Sequence, residues 1–281
     1  MKNRASLVAF VGTTPNIGTT VAAFAAAYRI AEASSAKVGF LCLNLKSAKL
    51  HRYLHAEHAG AVTLDSLRPE LTTGSLTEDK LLRSMDRVKG NETLRVLYGN
   101  VMRDQAEYYS PADIQHLLDI AVHSFDLVVA DVGAYWDNAA TICSLRSADS
   151  RILVTTPALT HFQEDGQRWI KQLSPMFGIE ERAYKAVIIH PPWKYGGYQV
   201  KDICKELEVS YMGELKLTDT LMKQLDSGAL EDWLADDEHG KQAMEAPAGQ
   251  LIQQFNLRRR PVMHIQPWYK KLLTHRGGRI S

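Results

Sequence analysis

The stretch Val8-Ala9-Phe10-Val11-Gly12-Thr13-Thr14-Pro15-Asn16-Ile17-Gly18-Thr19-Thr20 decides how the chain is read. Residues 5–11 form an apolar run; a short polar loop follows, and then Val21, Phe24, Tyr28 and Ala31 recur at helical spacing in an Ala-rich setting. A strand, a tight loop and a helix in that order bring backbone N–H groups and the positive end of a helix dipole to one point, where phosphate oxygens can be held. A working loop of the form G-x-x-x-x-G-K-[ST] adds a Lys that neutralises phosphate charge and a hydroxyl that ligates Mg2+. The same residues also suit a strand-to-helix turn with Thr and Asn caps and no ligand.

The rest of the chain repeats this rhythm. Apolar runs at 38–43, 94–98, 127–130, 151–155, 186–189 and 211–215 alternate with helical patterns at 78–88, 111–123, 138–145, 159–173 and 200–207. A short helix ending at Gly228 and a helix over 241–255 follow. The runs are continuous rather than alternating, so their strands are expected to be buried on both faces. The expected fold is α/β, a doubly wound, mostly parallel sheet flanked by helices. Neither repeats nor a flexible linker interrupt residues 1–256, which read as one domain followed by a tail, 257–281.

Two further stretches make the loop more specific. Phe125-Asp126-Leu127-Val128-Val129-Ala130-Asp131-Val132-Gly133 puts an acidic residue at the carboxyl end of a strand, and Ile152-Leu153-Val154-Thr155-Thr156-Pro157 is a strand running into a loop. With these, residues 5 to about 228 resemble the MinD/ParA family of deviant P-loop ATPases, and within it the CpaE/TadZ-like branch associated with tight-adherence pili and related secretion systems. The resemblance implies the P-loop NTPase fold. It implies ATP or ADP with Mg2+ at Thr13, Thr14, Asn16, Ile17, Gly18, Thr19, Thr20 and His190, with Thr20 and Asp131 as the Mg2+ residues. It also implies a homodimer in which the signature lysine of one subunit reaches the other's nucleotide, and pilus- or secretion-assembly proteins as partners.

The chain departs from that family's loop, K-G-G-x-G-K-T-T. Aligned on Gly18-Thr19-Thr20, it has Thr14 at the signature lysine, Pro15 and Asn16 at two glycines, and Thr19 at the phosphate-gripping lysine; Gly12 falls one position too early to be the first loop glycine. The acidic residue expected after the second strand is Asn44, and His190-Pro191-Pro192 stands where an adenine-reading Asn is usual. Hydrolysis needs the γ-phosphate charge neutralised and a water held in line, so little hydrolysis is expected of a degenerate loop. Binding through backbone N–H groups and Mg2+ survives as an expectation alongside a site with no nucleotide, Pro15 having no N–H to offer. A competing reading is a weak ATPase whose missing charge comes from Lys46, Lys49 or a partner.

Composition sets the boundaries. The chain has 281 residues and a formal net charge of +1, but residues 257–281 carry seven Lys and Arg and no acidic residue, which leaves the body at −6. A basic nucleic-acid coat over the whole chain is excluded. The tail, with Trp268-Tyr269-Lys270-Lys271-Leu272-Leu273, suits an acidic protein surface such as residues 231–238, the inner face of a membrane, or nucleic acid, the last as a DNA-partition protein would use it. Cys42, Cys143 and Cys204 have neither metal spacing nor an even count, and no signal peptide or spanning run is evident, so a cytoplasmic setting is expected. His51, His55 and His58 would share one face of a helix, as a solvated face or a Zn2+ site. Trp193, Tyr195 and Tyr198 form an aromatic loop, either for a partner or pinned to its own domain.

Overall fold

Strands β1 (Ser6–Gly12), β2 (Val38–Leu43), β3 (Asp86–Val88), β4 (Asn91–Leu97), β5 (Leu127–Val132), β6 (Ser150–Thr155), β7 (Tyr184–His190) and β8 (Ser210–Lys216) form one sheet in the order β3-β4-β2-β5-β1-β6-β7-β8. The structure is a computed structural model and describes residues 4–56, 60–192 and 198–261. Every neighbouring pair is parallel except β3 with β4. The expected doubly wound sheet is therefore the observed one.

The helices are α1 (Thr19–Ala33), α2 (Leu50–Tyr53), α3 (Arg68–Thr72), α4 (Glu78–Arg83), α5 (Pro111–Ser124), α6 (Ala139–Ser147), α7 (Ser174–Met176), α8 (Val200–Leu207), α9 (Asp219–Asp226), α10 (Leu230–Asp236), α11 (Glu238–Gln242) and α12 (Glu245–Gln254). Alternation along β1 shows how they divide. Leu7, Ala9 and Val11 face a core shared with α3–α6 and α8, whereas Val8 and Phe10 face one shared with α1, α2, α9, α10 and α12. Helix α1 is buried almost all round because its alanines let it lie close to the sheet while α12 covers its back. Its buried Arg29 is accommodated by the Leu234 and Gly240 carbonyls, at 2.5 and 2.7 Å, and by Glu32.

The structure corrects the sequence reading in several places. The helix expected over 78–88 stops at Arg83. Residues 86–88 turn back through Gly90, at φ +72°, to pair antiparallel with β4 as a polar edge strand. The helix expected over 241–255 is broken at Met244, whose φ of +58° ends α11 and starts α12. The 159–173 helix is present but wound in wide π turns, Thr160–Gly166 and Arg168–Leu173. His51 and His55 do not share a helix face, since α2 ends at Tyr53 and His55 takes φ +52°. His58 lies outside the described residues, among which no group of three His, Cys, Asp or Glu could hold a metal ion.

Of the aromatic loop, Trp193 and Tyr195 lie outside the described residues. Tyr198 packs edge-on against Phe162, with ring centroids 5.3 Å apart, which ties this aromatic to its own domain. The start of the tail lies along the end of α1: Ser35 N–H donates to the Arg258 carbonyl, Arg260 N–H to the Ala33 carbonyl, and Arg260 Nε to the Ser34 carbonyl at 2.7 Å. In the acidic stretch Asp232 pairs with Lys89 at 3.1 Å; the tail residues beyond 261 that would meet this stretch lie outside the described residues. Trp268, Lys270 and the other residues on which the membrane and nucleic-acid readings rest lie outside the described residues. No helix of the described residues is long and apolar enough to cross a membrane.

Candidate phosphate-binding site

The sheet order reverses around β1, which lies between β5 and β6, and ligands in such sheets gather outside the carboxyl ends of the strands at this point. The loop of residues 13–18 leaves β1 there. Thr13 is tied down on three sides: its N–H donates to the Val154 carbonyl at 2.8 Å, its hydroxyl to Thr155 Oγ1 at 3.1 Å, and its carbonyl accepts from Trp169 Nε1 at 3.1 Å. Asn16 at φ +62° and Gly18 at φ +103° then swing the chain into α1. Gly18 occupies the N-cap and offers no side chain, and the first turn holds no acidic residue, so among the described residues the positive end of this helix has neither a side-chain cap from its own N-cap position nor a carboxylate in its first turn.

Thr19, which follows the loop glycine Gly18 into α1, sits against β1. A Cβ on Gly12 would lie 2.6 Å from Thr19 Oγ1 and 2.9 Å from the Thr14 carbonyl oxygen, so this glycine is needed for the close approach rather than for a phosphate contact. Thr20 points the other way and donates to Asp131 Oδ2 at 2.7 Å. Asp131 is wholly buried, and its second oxygen, Oδ1, has no hydrogen-bond partner among the described residues. Burial pushes its carboxyl up to about 7, against the opposing effect of the Thr20 and Cys42 hydrogen bonds. Burial, and next the neighbouring Asp131 charge, likewise push the Cys42 thiol upward.

A cavity of ≈ 210 Å³ opens beside this pair. The loop and helix start give it Thr14, Asn16, Gly18, Thr19 and Thr20; the segment after β2 gives Asn44, Ser47, Lys49 and Tyr53. An apolar wall comes from Leu217, Met222 and Leu225, at and beyond the end of β8. Among the expected residues, Thr14, Asn16, Gly18, Thr19 and Thr20 are thus brought together. Asp131 stands behind Thr20. Thr13 and Ile17 are buried and do not line the cavity, Ile17 packing in the core beneath α1. His190 also lies off the wall, its Nε2 3.0 Å from Glu214 Oε2.

Hard oxygen donors suit Mg2+. The Thr20 hydroxyl and the unpartnered carboxylate oxygen of Asp131 fit such an ion together with phosphate oxygens at the uncapped helix end. Bound there, Mg2+ would neutralise phosphate charge. The loop supplies no cation. Asn44 accepts the Ser47 N–H on Oδ1 at 3.1 Å and shapes the turn after β2. Sequence reasoning missed Tyr53, Leu217, Met222 and Leu225; the position of Leu217 immediately after a strand's carboxyl end was the available signal.

No protein-family model matches the chain, and no curated protein sequence matches it. Solved structures do match in fold. A ParA family ATPase from Chlorobium tepidum TLS aligns with TM-score 0.73 and 16% identity over 86% of this chain and 98% of that one. The MinC:MinD cell division protein complex of Aquifex aeolicus gives TM-score 0.70 and 17% identity over 89% and 96%. The septum site-determining protein MinD complexed with Mg-ADP, from Pyrococcus horikoshii OT3, gives 0.69 and 14% over 89% and 97%. The chain has the fold of MinD/ParA ATPases.

Proposed function

We propose that the chain is a MinD/ParA-like P-loop protein that binds ATP or ADP with Mg2+ in the cavity beside α1 and hydrolyses ATP weakly or not at all. The observation that supports this most directly is the Thr20–Asp131 pair under an uncapped helix end, with a buried carboxylate oxygen left unpartnered. That arrangement suits a Mg2+-phosphate ligand. Turnover also requires a positioned water, and the carboxylate that would hold it is replaced by Asn44, whose amide oxygen is engaged by Ser47.

A nucleotide-binding fold with little turnover is suited to docking and localisation. In line with its resemblance to the CpaE/TadZ branch, we assign it a scaffold role in a pilus or secretion assembly, in the cytoplasm or at the inner face of the membrane. Dimerisation, where it occurs, depends weakly on ATP. Calorimetric titration of the whole chain with Mg-ADP and Mg-ATP, beside a phosphate-release assay, tests the reading. Saturable binding with release at the blank level is the expected result. No binding of either nucleotide overturns it, and sustained release lost in Asp131→Asn would favour the weak ATPase.

A further inference from the structure

The loop has lost both lysines, yet the cavity is not without a cation. Among the described residues that line it, Lys49 is the only side chain with a formal charge. Its Nζ donates to Asn16 Oδ1 of the loop at 3.1 Å, which places the ammonium against the segment whose own lysines are missing. The partner is a neutral amide, so the contact orients the charge without cancelling it, and two of the three ammonium donors remain for another acceptor.

Lys46, the other lysine after β2, is differently placed. Its Nζ is 2.5 Å from Asp137 and 5.3 Å from the centre of the Tyr135 ring, so its charge is already matched. The backbone explains the difference. Leu45 and Leu50 are anchored in the interior, the Asn44 side chain closes the turn onto Ser47, and the Lys49 carbonyl accepts the N–H groups of Arg52 and Tyr53 at 2.9 and 3.2 Å. Lys49 is therefore held at the rim of the cavity from outside the loop.

We propose that Lys49 supplies the positive charge the loop lacks, as a phosphate-binding residue for a nucleoside di- or triphosphate in this cavity. The assignment rests on the nucleotide reading above. A displaced lysine preserves charge neutralisation while Asn44 leaves water unpositioned, so it restores affinity rather than turnover.

The test is calorimetry of Mg-ADP binding by the full chain and by Lys49→Gln, Lys49→Arg and Lys46→Gln, with melting temperatures of the ligand-free proteins. A charge-assisted contact of this kind predicts a loss of about tenfold or more in affinity for Lys49→Gln. The melting temperature should be unchanged, with most of the affinity kept in Lys49→Arg and all of it in Lys46→Gln. The salt dependence of binding should be shallower in Lys49→Gln. Should Gln disturb folding, Lys49→Met keeps the aliphatic stem and removes the charge. Wild-type binding that the charge-removing variant leaves intact overturns the assignment alone. Absence of Mg-ADP binding by the wild-type chain overturns the nucleotide reading and the assignment with it.

Discussion

The Thr20 hydroxyl donates to Asp131 Oδ2 across 2.7 Å and so joins the first turn of α1 to the end of β5. The bond links the two elements that would flank a bound Mg2+-phosphate. Thr20→Val keeps the shape of the side chain and removes the donor, leaving Cys42 Sγ, at 3.8 Å, as the remaining partner of that oxygen. The expected cost is about 1–3 kcal/mol at pH 8, where the carboxylate is ionised, and less at pH 5. Urea unfolding at the two pH values measures it; an equal loss at both would show that the bond does not act through the carboxylate's charge.

Asp131 also gives stability a pH dependence of definite sign. Burial raises its carboxyl to about 7 in the folded protein, above the ordinary value of about 3.9 that it regains on unfolding. Between those values the native state holds a proton that the unfolded state has lost, so this residue's contribution becomes less favourable as pH rises from about 4 to 7 and is level above. Asp131→Asn removes that slope. The stability of the wild type should fall relative to the variant across this window by roughly 2–4 kcal/mol. Parallel pH profiles would contradict the expectation. Mg2+ binding, which favours the ionised form, should strengthen over the same window in the wild type and lose its pH dependence in the variant.

Gly12 offers a test of the altered loop itself. A methyl group there meets Thr19 Oγ1 and, at 2.9 Å, a backbone carbonyl that cannot rotate away as a side chain can. Gly12→Ala is expected to destabilise the protein by about 1–3 kcal/mol. Thr19→Ser leaves the contact in place, whereas Thr19→Ala in the Gly12→Ala background relieves part of it. A double-mutant cycle on melting temperature reads the coupling, which the geometry predicts to be non-zero.

What the sequence revealed and what it concealed follow from the range of the interactions involved. The parallel strands were legible because burial on both faces demands unbroken apolar runs such as Val38–Leu43, and the loop because a strand, a tight turn and an Ala-rich helix are all local. The β3 edge escaped because Asp86–Val88 is a short, largely polar strand recognisable only by its pairing with β4. Met244 escaped because a non-glycine residue with positive φ has no local signature. The site divides in the same way. Thr20 and Asp131 could be matched from motif to motif, but the choice between Lys46 and Lys49 depended on where two turns placed two flexible side chains, and the Leu217–Met222–Leu225 wall on a crossover from the far end of the sheet.

The position of Thr14 carries a prediction about assembly. In the family that the loop resembles, a lysine there reaches the nucleotide of the facing subunit, which makes ATP part of the dimer interface. Thr14 has a short neutral side chain and lines its own cavity. Lys49 is held by Asn16 of the same chain and so serves its own site. With a neutral residue at position 14, Mg-ATP lacks the contact that would make it bind more tightly in a dimer than in the monomer, and only such a difference could stabilise the dimer. Molecular mass by light scattering, with and without saturating Mg-ATP, should therefore be the same within error for the wild type. Thr14→Lys puts the charge back and should introduce an ATP-dependent increase in mass. A wild-type mass that doubles only when Mg-ATP is present would refute this account of Thr14.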